Sequence, residues 1–100
     1  MATYAELRDF YGTSAFDGLA GKVAVAVLKK VEAIGNEATP TAEEIAWAKQ
    51  ALANPRAQAG ILIGYILAVN DSATITQITN ATDAAIQANV DSAVDKLLSL

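Results

Sequence analysis

The chain carries eleven carboxylates but neither a histidine nor a cysteine. Any acid–base chemistry near neutral pH would therefore fall to Asp and Glu alone. Imidazole bases, Ser-His-Asp triads, thiolate nucleophiles, disulfides and zinc fingers are all excluded. Two pairs of carboxylates are close enough in sequence to weigh. Glu43 and Glu44 are adjacent, and adjacent helical residues point about 100° apart rather than converging on one substrate. Asp91 and Asp95 share a helical face at i, i+4 and could assist a weak cation site, yet no DxDxDG loop surrounds them. A solvated helix face explains that pair better. Nor is there a GxGxxG or P-loop signature for a nucleotide. The expectation is a chain with no catalytic, metal or cofactor residue, and so not an enzyme.

Three further features invite a bland and a sharp reading. Gly60-x-x-x-Gly64 permits close approach of another helix, as in a membrane dimer seam, but in a water-soluble fold it marks tight internal packing. Trp47, the single tryptophan, reads as a core residue whose indole N–H finds a partner at the rim. Asn70-Asp71-Ser72 and Asn80-Ala81-Thr82 satisfy the glycosylation triplet, and both read as helix ends.

The elements that must position these residues read as helices. Thr3 with Glu6, and Thr41 with Glu44, fit capping boxes, in which hydroxyl and carboxylate satisfy each other's orphan backbone donors. A short helix is expected near 4–11, stopped by Gly12. Phe16, Leu19, Val23, Val27, Val31 and Ile34 then keep a 3.6-residue period over 14–34, with Gly35 as a left-handed stop. Val23, Val25 and Val27 also alternate with period two, which leaves a strand alternative at 23–27. Ile45, Ala48 and Leu52 mark a helix at 42–53. Asn54-Pro55 caps and starts the next, at 55–69. Residues 57–70 are apolar on every side, so this helix is expected at the centre, flanked by the second and last helices. Thr74 to Thr79 reads as a helical turn. Ile86, Val90, Val94 and Leu97 define an amphipathic helix at 83–98, with Asp83 and Lys96 placed to suit its dipole. The fold class is all-α: four main helices and a short N-terminal one in a single domain, 1–100.

Composition bounds the function further. Hydrophobic residues are 53%, of which 22 are Ala, and charged residues are only 18%, below the usual quarter. A net charge of −4 argues against nucleic-acid or anionic-membrane binding, which need a basic patch. Aromatic and basic residues do not interleave as a stacking platform for single strands. The N-terminus lacks the apolar run of a signal peptide. The charge-free segment Ala57 to Asn70 falls short of the ~20 residues that cross a bilayer.

Two stretches carry a resemblance. Ala38-Thr39-Pro40-Thr41, Ile45-Ala46-Trp47-Ala48 and Ala51-Leu52-Ala53-Asn54-Pro55 form the first. Gln77-Ile78-Thr79-Asn80-Ala81-Thr82-Asp83-Ala84-Ala85-Ile86-Gln87 is the second. Both resemble small Ala-rich helical virion proteins of tailed bacteriophages. The resemblance implies a non-enzymatic structural subunit of the particle, assembled in the host cytoplasm. Within that class it points to a head–tail connector, with capsid decoration or cementing as the alternative. Portal or capsid proteins would be its neighbours, and no site residue carries over. From another class, a non-viral helical interaction module fits the same residues.

Low charge and an apolar 57–70 segment exceed what a small monomer hides easily. The expectation is therefore one copy in a symmetric set, a ring with head-to-tail contacts. Its candidate contact residues are Tyr4, Phe10 and Tyr11 at the N-terminus and Val90, Val94 and Leu97 on the last helix. One end would serve the neighbour and the other the core.

Overall fold

Residues 3–69 and 75–100 are described by the structure, a computed structural model. They fold into six helices in the order α1 (Tyr4–Tyr11), α2 (Thr13–Gly35), α3 (Ala42–Ala53), α4 (Pro55–Val69), α5 (Ile75–Thr79) and α6 (Asp83–Leu98). No strand occurs among the described residues. The Cα radius of gyration is 12.9 Å, close to the ~13 Å typical of a compact 100-residue chain.

Local chemistry accounts for the ends. Both capping boxes close reciprocally: Glu6 N–H donates to Thr3 Oγ1 at 3.2 Å and Thr3 N–H to Glu6 Oε2 at 3.3 Å. Thr41 and Glu44 make the same exchange at 3.0 and 3.1 Å. Asn54 Oδ1 accepts from Ala57 N–H at 3.2 Å, and Thr82 Oγ1 from Ala85 N–H at 3.2 Å. The glycine that takes positive φ is Gly12, at +86°. It ends α1 and opens α2 with no side-chain cap, so two helices meet on one residue that needs no Cβ. Gly35 corrects the expected left-handed stop. It is the last residue of α2, and Asn36 follows at φ −89° in the right-handed region.

The core gathers on α2, against which all five other helices pack. Phe16, Leu19, Ala20, Val23 and Val27 are fully buried there. The expectation for 57–70 is corrected in part: α4 is flanked by the second and last helices as expected, but α2 is the helix that all the others share. α4 buries Ala59, Leu62 and Ile63 completely, but Arg56, Ala68 and Val69 are exposed. Its apolar composition overstated its burial, because a 23-residue helix reaches more neighbours than a 15-residue one. The end of that segment at Asn70, and the break at 70–72, lie outside the described residues. The strand alternative at 23–27 is also resolved: Val23 and Val27 are 0% exposed and Val25 is 54% exposed. A strand would turn all three to one face.

Polar ties fasten the periphery to α2. Lys30 Nζ reaches Asp95 Oδ1 at 3.1 Å, linking α2 to α6. Lys22 Nζ donates to the Thr79 carbonyl at 3.0 Å, linking α2 to α5. No described helix is long and apolar enough to cross a membrane.

Candidate functional site

The carboxylate pairs do not converge on a common centre. Asp91 Oδ1 accepts from Gln87 Nε2 at 2.8 Å, whereas Asp95 is held by Lys30. Glu44 is engaged in its capping box, and Glu43 is exposed beside it. A different acidic pair, Glu37 and Glu44, interacts. A hydrogen bond from Glu37 to the Glu44 carboxylate raises the Glu37 carboxyl above its ordinary value, helped by desolvation and by the charge of Glu44. Glu44 itself is lowered, first by the Thr41 backbone N–H that it caps. Among the described residues no three acidic side chains gather as a metal site.

The two small residues of the Gly60-x-x-x-Gly64 motif face α1. A Cβ on Gly60 would lie 2.5 Å from Tyr4 Cδ2, and one on Gly64 would lie 3.1 Å from Leu7 Cδ1. The motif is therefore a seat for the N-terminal helix, and its packing is internal. Tyr4 is locked into that seat. Its ring meets Phe16 edge-on with centroids 5.4 Å apart, and its hydroxyl donates to Asp17 Oδ1 at 2.8 Å.

The six residues expected at contacts with neighbours thus separate. Val90 and Val94 are 0% exposed and belong to the chain's own core, and Leu97 packs against it partly buried. Tyr4 is partly buried in the seat just described. Phe10 and Tyr11 remain outside, at 80% and 37% exposure, stacked edge-on at 4.7 Å. The C-terminal helix serves the core, and the tip of α1 meets solvent. Trp47 is another correction. It is in the core as expected, but its buried Nε1 finds no hydrogen-bond acceptor among the described residues.

A groove of about 280 Å³ between α2 and α6 was not anticipated. Val25 supplies its exposed apolar wall over a floor of the buried Ala26 and Ile86, while Lys22, Lys29, Asp83 and Gln87 supply the polar atoms. Its sequence signal was Val25, an apolar residue off the buried stripe of α2, with Lys22 three residues before it and Lys29 four after. On a helix those three lie along one face. A second groove of about 250 Å³ between α4 and α6 is lined by Tyr65, Val69, Asn89 and Lys96, among others. Ser92 also lines the second groove, and among the described residues no hydrogen bond joins it to Lys96. No family model, curated protein or solved structure matches the chain.

Proposed function

We propose that the chain is a structural subunit of a tailed-phage virion, a head–tail connector that acts by packing and without catalysis. Its place would be the particle, reached by assembly in the host cytoplasm, with copies of itself and a portal or capsid protein as neighbours. The resemblance of 38–55 and 77–87 to virion proteins motivates this reading. The observation that carries it is the bare tip of α1: an 80%-exposed Phe10 beside Tyr11 on a helix otherwise locked into the fold. A rigidly seated helix that presents an aromatic pair to solvent suits docking, since little conformational freedom is left to lose on contact. Glu6, Glu44, Asp91 and Asp95, engaged in caps and ties, support the non-catalytic part. Mass spectrometry of purified particles tests the reading. The chain should be recovered at fixed stoichiometry, and deleting residues 1–12 should block particle completion. Particles complete without that segment would remove α1 from the contact. Particles devoid of the chain would leave a non-viral helical interaction module as the better reading.

A further inference from the structure

The exposed side of α1 and the α2–α6 groove match each other in both charge and apolar content. Glu6, Asp9 and Phe10 are all exposed, and at 100° per residue they span a single arc of about 100° on α1. The buried residue of that helix, Leu7, lies beyond the Phe10 edge of this arc, about 60° from Phe10 and about 160° from Asp9. Along the groove, Lys22, Val25, Ala26 and Lys29 occupy an arc of about 100° on α2, by the same geometry. One stripe is acidic with an aromatic knob; the other is apolar between two ammonium groups, with Asp83 the one carboxylate in the groove lining. Lys22 is already held by the Thr79 carbonyl. Lys29 is exposed and makes no hydrogen bond or ion pair among the described residues. No residue of α1 lines the groove, so the two surfaces are separate patches of one molecule.

We propose that the groove receives α1 of a second copy of this chain, with Phe10 on Val25, Ala26 and Ile86 and with Glu6 and Asp9 beside Lys29. The occupant follows from charge complementarity. A chain of net charge −4 repels its own copies unless opposite charges are paired locally, and here the acids and the ammonium flank apolar surfaces of matching kind. Because different patches meet, the contact is heterologous. Repeated from copy to copy, it closes into a ring or extends as a filament. The inference rests on the reading of the chain as one copy in a set, and it supplies that set with its contact.

The test uses the purified full chain. Its mass distribution is measured by light scattering and by zero-length carbodiimide cross-linking, from micromolar to millimolar concentration at low salt. Concentration-dependent oligomers are expected, with a cross-link from Lys29 to Glu6 or Asp9, and they should weaken as salt is raised. Phe10→Ser, Asp9→Lys and Lys29→Glu should each weaken association about tenfold or more. All three positions are exposed, so circular dichroism should be unchanged. Asp9→Lys on one partner mixed with Lys29→Glu on the other should restore it. A monomer at every concentration, or association indifferent to all three substitutions, would overturn the proposal. The chain could in either case still be found in particles, so this failure is distinct from failure of the virion reading.

Discussion

Tyr4 lies over Gly60 so closely that any Cβ there would come within 2.5 Å of Cδ2 and 3.2 Å of Cβ of the tyrosine. The relationship fixes the N-terminal helix to α4 and with it the direction in which Phe10 projects.

Gly60→Ala should therefore destabilise the fold, although alanine gains about 1 kcal/mol of helix propensity over glycine. Overpacking costs roughly 1–3 kcal/mol, and the crowded Tyr4 Cβ sits next to backbone and cannot swing aside. In a Tyr4→Ala background the same substitution should cost less, because the ring atoms at 2.5 and 3.2 Å are gone and only the Cβ at 3.2 Å remains. Gly64→Ala meets only a terminal methyl of Leu7 at 3.1 Å, and should be close to neutral. Urea midpoints of the four variants and the parent check this. A Gly60→Ala effect of the same size in both backgrounds would refute it.

Val27→Ala and Val25→Ala separate helix from strand. Val27 is fully buried on the core face of α2 and Val25 is 54% exposed. Removing two buried methylene-sized groups should cost about 1–3 kcal/mol at Val27. A surface change should stay within about 0.5 kcal/mol at Val25. Equal costs from thermal or urea unfolding would contradict the helical assignment.

This pair also shows what could be read from the sequence. The 3.6-residue stripe located the helices, and the capping boxes located their starts, because those signals are local. Which helix lies at the centre was not local information. The composition of 57–70 pointed to α4, whereas the length of α2 decided the matter. The aromatic tip was visible as Phe10-Tyr11. The groove required knowing that α6 runs beside Val25. Val90 and Val94 looked like contact residues because periodicity marks an apolar stripe without saying whether the chain itself covers it.

Glu37 and Glu44 predict a pH signature of opposite signs. Glu37 is raised from 4.5 by its hydrogen bond to Glu44. Its contribution is thus complete below that ordinary value and is lost as pH rises through the raised one. Glu44 is lowered from 4.5, so its contribution is present above that value and is lost as pH falls through the lowered one. Glu37→Gln keeps a neutral donor toward Glu44 at every pH. The variant should match the parent near pH 4 and equal or exceed its stability at pH 7, as urea midpoints will show. A variant weaker than the parent at pH 7 would contradict the pairing.

Trp47 buries an indole donor that has no acceptor among the described residues, and an unmade bond of this kind costs about 1–3 kcal/mol relative to a satisfied group. Trp47→Phe removes that donor while keeping an aromatic ring, and should cost under about 1.5 kcal/mol, in the range of size-tolerant core exchanges. Trp47→Ala should cost about 3–5 kcal/mol. Similar losses in chemical denaturation followed by circular dichroism would mean that the indole N–H is satisfied in solution.

The central claim is that this chain works as a packed subunit of a phage particle, and a reconstruction of the particle at side-chain resolution tests it most directly. The account predicts all-helical subunits in a closed ring at the head–tail neck, with Phe10 of each subunit buried against its neighbour. A particle whose neck and shell are fully accounted for by other chains would contradict it.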